Sequence, residues 1–185
     1  MSLSLVLFAG GCGSSTPPAS TARRAARRPS ASTLSVSGVR IGELAPDLTL
    51  EDQNGRYRTL SEFQGQPLVI FFYPRTTPGE CTPDACALRD ALARLAQCGA
   101  RVVGISTDDA FAHRAYRETN ALPFDLLSDP DEIAATAYGV PSEMGFITAR
   151  EIFLLDADGN LVDRWLNLSD IAEVLTAIDA LPTSP

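Results

Sequence analysis

The sequence predicts an α/β domain in which helices flank a central mixed sheet. Leu68 to Tyr73 is a continuous apolar run, rich in β-branched and aromatic residues, and is typical of a strand buried on both faces. From Pro83 onward the apolar residues recur at steps of three and four, which is the pattern of one helix face. Val102 to Ser106 is a second continuous apolar strand. A strand, a helix and a strand in this order predict a right-handed crossover and a parallel strand pair.

Hairpin and helix signals on both sides of this unit predict the other elements. Asn54-Gly55 lies between two short strand-like segments and predicts an added N-terminal hairpin with a type I′ turn. Asp158-Gly159-Asn160 predicts a second hairpin, and we interpret it as a turn because it lacks the spacing and the terminal glutamate of a calcium loop. The remaining predictions are a helical turn at Ser61 to Phe63, helices over Asp108 to Thr119 and Asp131 to Tyr138, strands over Phe124 to Leu127, Glu151 to Leu155 and Leu161 to Trp165, and a last helix capped by Ser169-Asp170.

Composition and charge limit the possible partners. The chain has 185 residues, of which 45% are hydrophobic and 21% charged, and this suits one domain of about 150 residues with a tail. Four arginines but no acidic residues precede residue 38, so the folded part is acidic and is expected to repel nucleic acid. The four cysteines include no C-x2-C spacing and His113 is the single histidine, so the sequence lacks the ligands of a zinc site.

The N-terminal region predicts a lipid anchor and a tether. Residues 1–12 end in Ala9-Gly10-Gly11-Cys12, which resembles the lipobox of bacterial lipoproteins. On this interpretation Cys12 is acylated and holds the protein at a membrane, on the periplasmic side of the cell envelope. The alternative is that Cys12 has no role and the protein is cytoplasmic. Residues 13–38, rich in Ser, Thr, Pro, Ala and Arg, predict a disordered linker, and residues 39–185 predict the folded domain.

Cys81 lies where the buried strand gives way to the helix. The unpaired N–H groups and the positive end of the helix dipole stabilise an anion at this place, so the Cys81 thiol is expected to ionise more readily than an ordinary cysteine. The thiolate is the nucleophilic form of the side chain. Arg75 brings a positive charge upstream, and Glu80 is expected to point to solvent. The sequence therefore predicts a reactive thiol rather than a buried structural one.

Cys86, five residues further on, is a candidate partner for Cys81. In a regular helix two residues five apart have Cα atoms about 8.6 Å apart, whereas a disulfide spans no more than about 7 Å. A bond between the two sulfurs therefore requires the first helical turn to open. Cys98 lies about 26 Å of helix rise from Cys81 and is expected to be a half-buried bystander.

Several short segments around these cysteines share a known pattern: Tyr73-Pro74, Thr77-Pro78-Gly79, Cys81-Thr82, Asp84-Ala85-Cys86 and Leu88-Arg89-Asp90. They resemble the active-site segment of the peroxiredoxins, in particular the Q-type or bacterioferritin-comigratory branch with its C-x4-C pair. The likeness extends from about Ile41 to Leu181, and it implies a thioredoxin-like fold.

This resemblance implies a thiol-dependent peroxidase, an antioxidant oxidoreductase that reduces hydrogen peroxide and organic hydroperoxides. Cys81 would attack the peroxide and become a sulfenic acid, and Cys86 would resolve that acid as a disulfide. Pro74, Thr77 and Arg150 would complete the catalytic site, Arg150 by stabilising the thiolate and orienting the peroxide oxygens. A thioredoxin-like dithiol would recycle the enzyme. No metal, haem, flavin or other cofactor is implied, and a monomer or weak dimer is expected.

Thr77 departs from the spacing of the family. The pattern P-x-x-x-T-x-x-C places threonine at position 78, where this chain has Pro78, and Glu80 is inserted before Cys81. In the peroxiredoxins that this segment resembles, the hydroxyl of this threonine contacts the peroxide. Assigning that contact to Thr77 therefore assumes a local adjustment of the loop.

Other functions stay open from the sequence. An extracytoplasmic thiol–disulfide oxidoreductase of the same fold would act on protein disulfides, although its usual C-x2-C pair is absent. A lipid-anchored redox sensor would carry the same cysteines without turnover. A cysteine protease is not favoured, because His113, the base that it would need, has no paired Asn or Asp signature. We expect His113 to face solvent and Trp165 to pack on its strand.

Overall fold

Apart from one small hairpin, the strands and helices follow the order that the sequence predicts. The computed structural model describes residues 38–182 apart from Pro78 and Gly145, so the predicted lipid anchor at Cys12 lies outside the described residues, as does nearly all of the predicted linker. In this part of the chain the strands are β1 (Thr49–Asp52), β2 (Tyr57–Thr59), β3 (Leu68–Phe72), β4 (Arg101–Ser106), β5 (Asp125–Ser128), β6 (Ser142–Glu143), β7 (Phe146–Ile147), β8 (Glu151–Leu155) and β9 (Leu161–Leu166). The helices are α1 (Pro83–Gln97), α2 (Ala110–Thr119), α3 (Ile133–Tyr138) and α4 (Ala172–Asp179), and Leu60–Phe63 forms a 3₁₀ turn.

A mixed sheet forms the centre of the described domain, with the strand order β2-β1-β5-β4-β3-β8-β9. The inner strands β3, β4 and β5 pair in parallel, and Ile70 of β3 is in register with Val103 of β4. The outer pairs, β1 with β2 and with β5, β3 with β8, and β8 with β9, are antiparallel. The predicted parallel pair, mixed sheet and N-terminal hairpin are confirmed.

Alternation along β3 builds a core on each face of the sheet. Val69 and Phe71 face α1, α2 and α4, whereas Ile70 and Phe72 face α3 and the N-terminal hairpin. Every residue of β3 is at most 4% exposed, which explains the continuous apolar run in the sequence. The strand that leads to Cys81 is therefore packed on both sides, and its carboxyl end has a fixed position.

The N-terminal hairpin is present, but its predicted type I′ turn is wrong. A type I′ turn needs positive φ at both central residues, and of Asn54 and Gly55 only Gly55 has one, at 77°. The Asp52 carboxylate accepts hydrogen bonds from the backbone N–H groups of Asn54 at 2.7 Å and Arg56 at 3.0 Å. This side-chain turn fixes the loop without a left-handed residue at position 54.

Carboxylates also fix the beginnings of α2 and α4. The Asp109 carboxylate accepts from the Ala112 N–H at 2.8 Å and caps α2, which begins two residues after the predicted start. Asp170 accepts from the Ala172 N–H at 2.9 Å, but the N-cap of α4 is Ile171, so the predicted cap at Ser169-Asp170 lies one residue too early. The small hairpin of β6 and β7 is not predicted by the sequence, because two-residue strands are too short to show a period.

Candidate active site

Cys81 lies between the end of β3 and the start of α1, as predicted. Thr82 caps the helix, and its Oγ1 accepts from the Ala85 N–H at 3.4 Å. Pro83 is the first helical residue, where its missing N–H leaves no bond unmade. The Cys86 N–H donates to the Thr82 carbonyl at 3.0 Å and closes the first turn. Cys81 therefore stands at the electropositive end of a 15-residue helix.

Cys81 and Cys86 are joined by a disulfide bond. Their Cα atoms are 6.0 Å apart, which is within the reach of a disulfide and well below the roughly 8.6 Å of a continuous helix. The bond leaves α1 intact from Pro83, because Cys81 lies before the cap of the helix. The prediction that the first helical turn must open for this bond is therefore wrong. Both cysteines are half-buried, so the pair is open to small solutes.

Asp108, just after β4, holds the loop that precedes Cys81. It is buried, and its Oδ2 accepts from the Thr76 backbone N–H at 2.9 Å and from the Thr76 hydroxyl at 3.0 Å. The Arg75 Nε lies 3.8 Å from Asp108 Oδ1, and the guanidinium stacks 5.0 Å above the ring of Phe146 in β7. One buried carboxylate thus anchors two successive residues of the loop to the carboxyl end of β4.

Tyr116 of α2 contacts the residue that follows Cys81. The Thr82 N–H donates to Tyr116 Oη at 2.9 Å, and the two hydroxyls share a hydrogen bond of 3.1 Å. Tyr116 lies 34 residues beyond Thr82, so no local pattern in the sequence indicates this contact.

Arg150 lies just before β8 and reaches Asp84 in the first turn of α1. Its Nη1 is 3.3 Å from Asp84 Oδ2. Burial raises the pKa of the Asp84 carboxyl, and the charge of Arg150 acts in the opposite direction. Asp84 is not evident from the sequence as a site residue, because an acid in a first helical turn is usually an exposed partner of the helix dipole. The pair fixes Arg150 beside the turn that joins the two cysteines.

Pro74 and Thr77 lie in the loop between β3 and α1. Pro74 is half-buried two residues after the end of β3, whereas Thr77 is exposed and its carbonyl accepts from the Glu80 N–H at 3.2 Å. Glu80 is exposed, as expected. The hydroxyl that is anchored to a buried group is that of the neighbouring Thr76, so the peroxide contact of Thr77 stays a prediction.

His113 faces the interior, so its predicted position in solvent is wrong. It is fully buried, with Nε2 2.8 Å from Ser106 Oγ and Nδ1 3.4 Å from Ser128 Oγ. Burial lowers the pKa of His113 to about 4, although the carboxylates of Asp108 and Asp109 act in the opposite direction. The hydroxyls that satisfy the ring lie on β4 and β5, outside the helix, and the sequence around His113 gives no sign of them. Through these two hydrogen bonds, the neutral imidazole links α2 to the sheet.

Cys98 caps the far end of α1 and is half-buried, as expected. Its Sγ donates to Asp179 Oδ1 at 3.2 Å. Trp165 is half-buried on β9 and packs against the core that contains α1 and α4, as expected.

Among the residues that the structure describes, no group of three or more His, Cys, Asp or Glu side chains is placed to hold a metal ion.

Comparisons with known proteins agree on one family. Residues 41–164 match the AhpC/TSA family. The chain is 45% identical over 138 residues to a chloroplastic peroxiredoxin Q of Triticum aestivum, across 73% of this chain and 63% of that protein. It is 41% identical over 123 residues to a chloroplastic peroxiredoxin Q of Arabidopsis thaliana, across 65% of this chain and 56% of that protein. The chain spans about 55% to 64% of the length of such curated relatives.

Solved structures give the same result for the fold. The structure of the peroxidoxin BcpB from Mycobacterium tuberculosis matches with a TM-score of 0.70 and 31% identity, across 78% of this chain and 99% of that one. A structure of peroxiredoxin Q from Xanthomonas campestris matches with a TM-score of 0.64 and 31% identity, across 72% and 90%. The predicted thioredoxin-like fold and the family resemblance are confirmed.

Proposed function

Since this chain belongs to the AhpC/TSA family and, within it, to the peroxiredoxins of the Q type, we propose that it is a thiol peroxidase that reduces hydrogen peroxide and organic hydroperoxides. The observation that carries the proposal is the Cys81–Cys86 disulfide at the N-terminus of α1. One cysteine precedes the helix cap and the other lies in the first turns of the helix. The two sulfurs are therefore bonded while α1 stays helical from Pro83.

In the first step the Cys81 thiolate attacks one peroxide oxygen. The O–O bond breaks, the sulfur keeps the attacked oxygen as a sulfenic acid, and the other oxygen leaves and takes up a proton to become water or an alcohol. Two electrons pass from the sulfur to the peroxide. The positive end of the α1 dipole favours this step, because it stabilises the thiolate.

In the second step the Cys86 thiolate attacks the Cys81 sulfur. The S–O bond breaks, hydroxide leaves and is protonated to water, and the S–S bond forms. A thioredoxin-like dithiol donor then returns two electrons and two protons by thiol–disulfide exchange. The half-buried position of the pair leaves it open to the thiolate of such a donor.

Arg150, Thr77 and Pro74 complete the proposed catalytic site. Asp84 holds Arg150 beside the first turn of α1, where a fixed guanidinium stabilises the thiolate and orients the peroxide oxygens. The Thr77 hydroxyl donates to a peroxide oxygen once the loop adjusts. Pro74 has no N–H to offer the sheet, so it ends β3 and directs the chain towards Cys81.

Cys12 is the proposed point of membrane attachment. None of the described helices combines the length and the apolar character that crossing a bilayer requires. An acylated Cys12 would place the domain in the cell envelope, where its dithiol donor would also have to be present. Cell fractionation tests this proposal, because the parent is expected with the membranes and Cys12→Ser in the soluble fraction. Equal distribution of the two proteins would contradict it.

A single-turnover experiment tests the proposed activity. Reduced protein is mixed with one equivalent of hydrogen peroxide, and the loss of peroxide is followed by stopped flow. Cys81→Ser is expected to consume peroxide no faster than buffer, whereas Cys98→Ser keeps the rate of the parent. An insulin-reduction assay on the parent separates this activity from protein thiol–disulfide exchange. A Cys81→Ser protein as fast as the parent would refute the proposal.

A further inference from the structure

The Tyr116 hydroxyl is bonded to the peptide group that carries Cys81. The Thr82 N–H belongs to the peptide that joins Cys81 to Thr82, and it donates to Tyr116 Oη at 2.9 Å. The same phenol oxygen shares a 3.1 Å hydrogen bond with Thr82 Oγ1, the atom that caps α1. Tyr116 thus fixes both the backbone and the side chain of the residue next to the reactive cysteine.

The phenol is itself held in place by the sheet. Tyr116 is 4% exposed, and its ring stacks on that of Tyr73 with centroids 5.9 Å apart. Tyr73 is fully buried after β3 and stacks in turn on Phe71 at 5.1 Å. One turn earlier in α2, His113 is bonded to hydroxyls of β4 and β5. The Tyr116 hydroxyl is therefore held in position by the core, independently of the loop that carries Cys81.

The position of Thr82 decides whether the two sulfurs can be bonded. Cys86 is fixed in α1, because its N–H closes the first helical turn. Cys81 lies outside the helix, and the extended backbone of Thr82, with ψ at 145°, brings the Cα atoms of the two cysteines to 6.0 Å. A continuous helix would separate them by about 8.6 Å, beyond the reach of a disulfide. The hydrogen bonds to Tyr116 stabilise the conformation in which the disulfide fits.

We propose that Tyr116 is a positioning residue for the cysteine pair, whose hydroxyl stabilises the disulfide form over the dithiol form. Its role in turnover rests on the proposed peroxidase function, whereas the disulfide–dithiol equilibrium is a property of the pair alone. A neutral hydrogen bond made in one of the two forms shifts such an equilibrium by about threefold to tenfold.

Tyr116→Phe tests the proposal, because phenylalanine keeps the ring stacking and lacks the hydroxyl. Parent and variant are equilibrated in mixtures of oxidised and reduced dithiothreitol and then alkylated. Intact mass gives the fraction that has gained two further alkyl groups. The variant is expected to shift about threefold to tenfold towards the dithiol. Tyr138→Phe is the matched control: it removes a buried hydroxyl that donates to the Pro46 carbonyl at 3.2 Å in the other core, and it is expected to shift less than twofold.

Two results would overturn the proposal: a Tyr116→Phe equilibrium within twofold of the parent, or an equal shift in Tyr138→Phe. Urea unfolding of each oxidised variant shows whether its fold is retained, and only a shift measured in folded protein supports the proposal. Peroxide consumption does not enter this measurement, so a failure of the peroxidase function would be seen separately, in the single-turnover experiment.

Discussion

The Asp84 carboxylate lies 3.3 Å from the Arg150 guanidinium, in the helical turn that joins Cys81 to Cys86. The Asp84 side chain is 4% exposed and the Arg150 side chain 29% exposed, so the carboxylate depends on its partner more than the guanidinium does. Burial raises the pKa of Asp84 because the ionised carboxylate loses its hydration. The free-energy cost of burying this charge would be larger without the arginine. The pair therefore contributes to the fold of the active-site helix as well as to its charge.

Arg150→Met is expected to lower the free energy of unfolding by about 2–3 kcal/mol, because it leaves a buried carboxylate without its partner. Asp84→Asn in the same chain is expected to restore most of this loss, since no buried charge then remains. Urea unfolding of the oxidised proteins measures both values. Arg40→Met is the control, because Arg40 and Glu43 form an exposed ion pair at 4.0 Å. Loss of this pair is expected to lower the free energy of unfolding by less than about 0.5 kcal/mol. Equal decreases in the free energy of unfolding for Arg150→Met and Arg40→Met would show that the buried Asp84 pair stabilises the protein no more than an exposed pair does.

Acid is expected to destabilise the protein through His113. The pKa of His113 is lowered in the folded protein to about 4, from an ordinary value of 6.5. Between these two pH values the unfolded chain binds a proton that the folded protein does not, so stability falls as the pH falls from about 6.5 to 4. This contribution amounts to about 2–3 kcal/mol between pH 7 and pH 4.5.

His113→Gln isolates this contribution, because glutamine does not titrate. The variant is expected to be less stable than the parent at pH 7, and to lose about 2–3 kcal/mol less between pH 7 and pH 4.5. Urea unfolding of both proteins across this range gives the comparison. Two parallel stability curves would mean that His113 takes up its proton equally in both states.

Asp108→Asn is expected to slow the reaction with peroxide about tenfold, because the anchor of Thr76 weakens and the loop before Cys81 loses its position. Stopped-flow single turnover gives the rate constant. Asp109→Asn makes the same charge change one residue along the chain, where asparagine is an equally good helix cap, and the rate is expected to stay within twofold of the parent. Similar rates for the two variants would show that the anchor does not affect the chemistry.

Cys86→Ser is expected to separate the two chemical steps. The variant keeps the single-turnover rate of the parent, since Cys81 still reacts, but turnover with a dithiol donor falls at least about tenfold and Cys81 accumulates as sulfinic acid. Coupled turnover and intact mass measure these effects. Cys98→Ser should match the parent in both measurements, and a Cys86→Ser protein with undiminished turnover would remove the resolving role.

Local patterns predicted most of the architecture around the site. The apolar run that ends at Tyr73 and the helical stripe that begins at Pro83 are short-range signals, and both appear in the structure within one residue of the predicted points. They were sufficient to place Cys81 at the junction of strand and helix.

The polar contacts that hold the site together across distant segments were not predicted. Asp84 forms an ion pair with Arg150, and Thr82 is hydrogen-bonded to Tyr116. The two hydroxyls that are hydrogen-bonded to the buried ring of His113 lie on separate strands. Each contact joins polar side chains whose burial depends on how the sheet brings the elements together. The sequence alone shows these residues only as members of polar or mixed segments.

The most direct test of the peroxidase mechanism is the intact mass of fully reduced protein before and after one equivalent of hydrogen peroxide, with the disulfide mapped by proteolysis under non-reducing conditions. We predict the loss of two hydrogen atoms and a single new bond between Cys81 and Cys86. A protein that stays fully reduced, or a disulfide that involves Cys98 instead, would contradict the assignment of the two cysteines.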